Sequence, residues 1–514
     1  MFRTLRNLAR MAVILRTLAR YDALFRDEVS IAVPGLGWLF QSISRHNVPG
    51  RPGQRLAAAL RDLGPTFIKL GQALSIRSDL VGDQIAADLT ELQDRLPPFP
   101  GAEARAIIER ELGRPIETLF KSFDNEPVAA ASIAQVHFAI TAEGEEVAVK
   151  VLRPNIEFMF QRDIELFRWL AELALRVMPA IRRLRPTEVV EIFARTSRME
   201  MDLRMEAAAA SELAENFAGD PTFAVPKVNW DRTALRVLTL ERIHGIKVDE
   251  TEKLLAAGHN LDDILAKSSA AFFNQVFRDG FFHADLHPGN MFVDATGRIV
   301  VVDFGIMGRL DRPTRYALAD MLVGFLTGDY RRVAKVHFQV GYVPAYHSLE
   351  VFTQATRAIG EPLLNKPLNE ISIGRLLAQL FAVTEQFDME TQPQLLLLQK
   401  SMLITEGVGR TLNPKLNMWE LAKPLIEEWM REHRGPEARV LDEFEGVISA
   451  MRRLPGVIRG IERTAEMLSE GGLRLHPETV AGLAKAREQR RRLDLGSVWV
   501  ALLLMALLMP YLLR

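Results

Sequence analysis

The run His283-Ala284-Asp285-Leu286-His287-Pro288-Gly289-Asn290, followed by Asp303-Phe304-Gly305, restricts this chain more than any other feature. An aspartate, an asparagine five positions on and a second aspartate beyond a strand pair are the groups a metal-dependent phosphoryl-transfer loop needs. Asp285 is placed to take a proton, and Asn290 and Asp303 to hold magnesium. Met291-Phe292-Val293 and Ile299-Val300-Val301-Val302 are apolar runs separated by Asp294 to Arg298, which predicts a hairpin returning both metal ligands to one point. Either short motif alone arises by chance, whereas their joint occurrence in this order points to a real site. Neither His283 nor His287 is expected to ligate metal, and His283, at the first position of the loop, reads as a backbone brace.

Such a site needs large cores on either side of it. The chain has 514 residues, 48% of them apolar, and two or three domains are expected. The 64 Lys and Arg against 65 Asp and Glu create no global field for nucleic acid, which is therefore not an expected partner. The absence of cysteine removes disulfides, thiolate nucleophiles and cysteine-bound metals, and fits a reducing compartment.

Both ends are distinctive. Gly496 to Leu513 carries no charge and, at about 1.5 Å per residue in a helix, is long enough to cross most of a bilayer core. Arg487, Arg490, Arg491 and Arg492 precede it, so a single C-terminal transmembrane anchor with the body of the protein on the cytosolic side is expected. At the other end Arg3, Arg6, Arg10, Arg16 and Arg20 interleave with apolar residues, with no acid before Asp22. This predicts a basic amphipathic helix, suited to an anionic membrane surface or to a mitochondrial targeting segment.

Residues 1–120 read as a helical extension, interrupted at Pro34-Gly35, Pro49 to Gly53 and Pro97 to Pro100. Strand-like runs follow at Val128 to Ala131, Ala134 to Ile140 and Glu146 to Leu152, the last holding Val147-Ala148-Val149-Lys150, the strand pattern whose lysine contacts nucleotide phosphates. Long helices are predicted over Ile156 to Met178 and Thr187 to Phe217, so that Glu200 and Glu206 share one helix, and their spacing alone does not select which of them meets Lys150. Strands are expected again at Val225 to Val228 and Ala234 to Leu240. Glu241-Arg242-Ile243 would then be a hinge whose backbone meets an adenine edge. Helices from Leu261 to Arg278 and Tyr316 to Thr327 would build the second lobe. The expected division is an extension at 1–120, a first lobe with a helical insertion at 121–245, a second lobe at 246–423, a connector at 424–495 and the anchor at 496–513.

Where a phosphate-covering loop would carry glycines, this chain has Ala129, Ala130, Ala131, Ser132, Ile133, Ala134, Gln135, Val136 and His137. Alanine in left-handed backbone costs on the order of 1 kcal/mol, so a stiffer loop that cradles nucleotide differently is expected.

Lys69-Leu70-Gly71-Gln72, the alanine-rich loop, Val147 to Lys150, Glu200-Met201-Asp202, the His283 to Asn290 run and Asp303-Phe304-Gly305 together resemble the UbiB family of atypical kinases involved in ubiquinone biosynthesis, over roughly Arg55 to Leu310. The resemblance implies an α+β, bilobal protein-kinase-like fold with an N-terminal helical extension and a transmembrane tail. It implies ATP or ADP and magnesium as cofactors, with Lys150 on the phosphates and paired with Glu206, Asn290 and Asp303 on the metal, and Asp285 as catalytic base. Lys69 and Gln72 are expected to fold over the site with Glu200 and Asp202, closing it to peptides. No Ala-Pro-Glu segment follows the Asp303 motif, which agrees with that closure.

The expected function is a membrane-anchored kinase or ATPase that supports ubiquinone synthesis through a lipid or small molecule. Membrane lipids and ubiquinone-biosynthesis enzymes or prenylated quinone precursors are the expected partners. The alternatives are a nucleotide-switched lipid-presenting scaffold and a phosphotransferase of the aminoglycoside-kinase type. The cytoplasmic face of a bacterial inner membrane is the expected location, with a mitochondrial inner membrane as the alternative.

Overall fold

A computed structural model describes residues 2–23, 48–75, 81–90, 92, 96–177, 186–362, 383–384, 386–389, 393–413, 424–425, 428–429 and 431. The proposed anchor at 496–513 and most of the connector lie outside the described residues. Among the described residues no helix is long and apolar enough to cross a membrane.

The first lobe is built on an antiparallel sheet in the order β1 (Phe120–Phe123), β3 (Ala134–Thr141), β4 (Glu146–Leu152), β6 (Val237–Glu241), with β2 (Ala129–Ala130) on β3. In β4 the period of two sends Val147, Val149 and Val151 to one face, all buried, and Ala148 and Lys150 to the other. The valine face packs on Ala104, Ile107 and Ile108, which lie on the helix Gly101–Leu112. Burying each valine contributes about 1.5–3 kcal/mol. That helix therefore belongs to the first lobe, and the boundary expected near residue 120 moves back to about Gly101.

Helix α1 is Phe2–Arg20, α2 Pro52–Leu63, α3 Pro65–Ser75, α4 Asp83–Thr90 and α5 Gly101–Leu112. The basic helix α1 turns charge into the fold. Arg10 donates to both carboxylate oxygens of buried Asp163 (2.8 and 2.9 Å) and lies over the Phe67 ring, while Arg6 pairs with Glu165. Met11, Leu8 and Leu15 pack beside Leu173, Trp169 and Leu170. Arg6 and Arg10 of the expected basic amphipathic helix are thus engaged with protein, while Val13, Arg16 and Arg20 stay exposed.

Asp163 lies on α6 (Ile156–Val177). The single helix expected over Thr187 to Phe217 is two, α7 (Pro186–Glu200) and α8 (Leu203–Asn216). The physical reason is Asp202, an N-cap residue with extended backbone (φ −109°, ψ 92°) whose carboxylate accepts the Arg204 amide. The strand expected at Val225 to Val228 is instead β5 (Phe223–Ala224), with Val228 making an isolated bridge to Leu240.

In the second lobe β5, β10 (Ile299–Val301), β9 (Met291–Val293) and β7 (Ile246–Lys247) form a sheet, and β9 and β10 are the expected hairpin. Its turn is tied by Asp294, which accepts from the Thr296 and Arg298 amides. Helices α9 (Thr251–Ala256), α10 (Leu261–Phe273), α11 (Arg312–Thr327), α12 (Tyr330–Gln339), α13 (Leu349–Gly360) and α14 (Pro393–Leu412) complete the lobe. Leu398, Val408 and Leu412 of α14 enter its main core. So does Trp429, packed by the Phe277 and Tyr316 rings, which carries the lobe past the boundary expected at 423.

The helix expected through Arg278 changes to a π-helical turn at Asn274–Asp279. The turn presents buried Gln275, whose side-chain oxygen accepts the His283 amide at 2.9 Å, a common use of π turns beside functional sites.

Candidate active site

Strand β8 (Phe281–His283) delivers the catalytic-type loop and pairs antiparallel with β11 (Met307–Arg309), which follows the Asp303 motif. Close approach makes this pairing possible. A Cβ on Gly308 would fall 2.1 Å from the buried Phe282 ring. His283 accepts the Asp285 amide on Nδ1 (3.1 Å) and so donates from Nε2 to the Val302 carbonyl (3.2 Å). It is the expected brace, joining the loop to the residue before Asp303. Asn290 donates to the Asp285 carbonyl (3.1 Å), and its own carbonyl accepts the Val302 amide (3.0 Å), which sets Asn290 beside Asp303.

Asp303 has φ +64°, left-handed backbone that few non-glycine residues adopt. Its carboxylate lies 2.9 Å from Lys150 Nζ, which also contacts Glu206 at 2.7 and 2.9 Å. Lys150 projects from the face of β4 opposite the valines, toward α8. Burial opposes its charge, but Asp303 and Glu206 outweigh burial and raise its pKa. Lys150 in turn holds Asp303 far below the usual carboxylate range. Burial pushes Glu206 upward against the pull of Lys150.

The break in the helix separates the two acids that one continuous helix left equivalent. Glu206 faces Lys150, and Glu200, at the end of α7, pairs with Lys69 of α3 at 3.1 Å. Lys69 also adds to the positive field on Asp303. Helix α3 is seated through Gly71, where a Cβ would meet Leu60 and Leu92 within 2.8 Å. Gln72 is half-buried on the same helix, three positions from Lys69. Asp202 caps α8 and pairs with Arg204.

In the alanine-rich loop, among the described residues no alanine has positive φ, so the strain expected of left-handed alanine does not arise. The tip is fastened instead by Arg153, which donates to the carbonyls of Ala131 (2.8 Å), Ile133 and Pro97. Ser132, Ala134, Gln135 and His137 are buried. Gln135 exchanges hydrogen bonds with both the amide and the carbonyl of Phe99 (3.0 and 3.1 Å) and meets His137 Nε2 at 2.9 Å, while His137 Nδ1 meets the Asp124 carbonyl at 2.7 Å. These two side chains serve the loop's foundation, and contact with a nucleotide would fall to backbone of Ala129 to Ile133. At the expected hinge the Glu241 amide donates to Lys227 and the Arg242 amide to Glu146, which secures the segment leading to Ile243.

One site residue escaped the sequence. Lys400 of α14 places Nζ 2.9 Å from Asp285 Oδ1. It stands in Leu395 to Leu398-Gln399-Lys400, outside any motif, and its polarity within an apolar run was the one available signal.

Burial lowers the pKa of His137, His283 and His337 below the ordinary 6.5. Between the folded and unfolded values the unfolded chain binds more protons, so stability falls as pH falls. The denaturant midpoint is expected to drop between about pH 7 and 5, before the carboxylates titrate. A flat midpoint across that interval would contradict the buried neutral histidines.

Residues 91–337 match the model of the ABC1 atypical kinase-like domain, and 356–417 that of the UbiB helical domain. The chain is 45% identical over 392 residues to a "Probable protein kinase UbiB" of Marinobacter nauticus, covering 76% of this chain and 72% of the relative. It is 43% identical over 474 residues to a protein of the same name from Pseudomonas aeruginosa, covering 90% and 88%. A solved structure of Rv3197 from Mycobacterium tuberculosis, in complex with erythromycin, superposes with a TM-score of 0.51 at 24% identity, covering 72% of this chain and 95% of that one, and shows the shared fold. On these similarities, and with the lysine, glutamate and two aspartates of its site in place, the chain belongs to the UbiB family of atypical kinases of ubiquinone biosynthesis.

Proposed function

We propose that this protein is a nucleotide- and magnesium-dependent phosphotransferase or ATPase that works at a membrane on a lipid or small molecule of the ubiquinone pathway. The observation that carries the reading is the Lys150, Glu206 and Asp303 cluster, with Asn290 hydrogen-bonded into the same loop. Asn290 donates its side-chain nitrogen to the Asp285 backbone carbonyl, so its amide oxygen is the atom left to act as a ligand, and Asp303 is held ionised. These two hard oxygen donors fit magnesium, which Asn290 and Asp303 would hold. When bound, the metal neutralises charge on the phosphates. Lys150 holds phosphate oxygens, Glu206 keeps Lys150 in place, and Asp285 accepts the proton of an acceptor hydroxyl or of water.

The Lys69–Glu200 pair supports a small acceptor. It ties the helical extension to α7 beside Asp303, where a peptide would otherwise approach. Purified full-length protein in anionic vesicles should release phosphate from ATP several-fold faster with a prenylated phenol present, and a soluble protein acceptor should cause no such rise. Equal or faster phosphorylation of the protein acceptor would overturn the small-acceptor reading.

A further inference from the structure

We propose that Lys400 is a second cationic ligand for the nucleotide, holding its terminal phosphoryl group, and that α14 brings this charge to the site from the helical segment beyond the kinase-like domain. The proposal rests on the nucleotide reading above and deepens it. Lys150 is engaged by Glu206 and Asp303, on the metal side of the site. The transferring group has to pass between that side and the proton acceptor Asp285, and charge that develops there needs a fixed cation. Lys400 is 115 positions from Asp285 in sequence, yet its Nζ sits 2.9 Å from the Asp285 carboxylate. Its three N–H donors allow it to keep Asp285 and take a phosphoryl oxygen together.

The catalytic-type loop does not provide this cation itself. Between Asp285 and Asn290 its one titratable side chain is His287, whose Nδ1 accepts the Gly289 amide and whose Nε2 lies 3.9 Å from Asp285. Nor is the Lys400–Asp285 pair what holds α14 in place. Lys400 and Asp285 are 28% and 27% exposed, so the pair is partly buried but still reaches solvent. Leu398, Val408 and Leu412 anchor the same helix in the core through apolar burial. A partly exposed lysine set against Asp285, on a helix that other side chains anchor, is placed to meet an anion there.

The test is equilibrium binding of Mg-ATP and of Mg-ADP to the full-length protein and to its Lys400→Met, Lys400→Arg and Asp303→Asn variants. Lys400→Met should weaken Mg-ATP roughly tenfold or more, as expected for a lost charge-assisted hydrogen bond, and leave Mg-ADP within roughly twofold. Lys400→Arg should recover most of the loss, and the urea midpoint should not move. Asp303→Asn should weaken both nucleotides. If Lys400→Met weakens both equally or neither, while Asp303→Asn weakens both, the Lys400 assignment falls and the nucleotide reading stands. If the wild type binds neither nucleotide, both fall.

Discussion

Asp303→Asn is expected to abolish magnesium-dependent nucleotide turnover while leaving the protein folded. Asparagine matches aspartate in shape and tolerates the left-handed backbone required at φ +64°, so the loop keeps its path. What is removed is the negative charge that Lys150 faces at 2.9 Å and that would meet the metal. Losing one preorganised electrostatic group at the reacting centre typically costs about 10²–10³ in rate, and losing a metal ligand costs more, so a fall of at least about 10³-fold is anticipated. Phosphate release at saturating Mg-ATP measures it, with the thermal midpoint as the control for folding. Turnover at the wild-type rate would remove the basis for placing catalysis at this site.

Gln135→Leu should show the opposite pattern, with a large loss of stability and little change in nucleotide affinity. The side chain is fully buried and satisfies the amide and carbonyl of Phe99. Leucine fills similar volume but strands the two Phe99 backbone groups and takes a partner from His137; at about 1–3 kcal/mol for each orphaned backbone group, the two together cost about 2–6 kcal/mol. Urea denaturation reads the cost. A variant of unchanged stability with weakened nucleotide binding would mean that Gln135 faces the nucleotide after all.

Much of the site was legible because its chemistry is written in short, local spacing. Asp285 and Asn290 lie in one loop, and the hairpin between Asn290 and Asp303 follows from two apolar runs and a turn led by Asp294. Lys150 was legible because alternation along β4 puts the valines on one face and the lysine on the other. The choice between Glu200 and Glu206 was less legible. An uninterrupted helical pattern hid the break, although Asp202 is a residue type that starts helices. Nothing in the alanine-rich run distinguishes Gln135 and His137 from its other residues, and only packing shows that these two turn inward.

What the sequence determined by itself was the class of chemistry and the strands that carry it, since hydrogen-bonding period and loop geometry act over a few residues. The tertiary structure decided which charges meet. Glu206 rather than Glu200 reaches Lys150, Lys69 crosses from the extension to Glu200, Arg10 locks α1 to buried Asp163, and Lys400 arrives at Asp285 across 115 positions. Those pairings depend on how helices pack on a common core, and no local pattern encodes that distance.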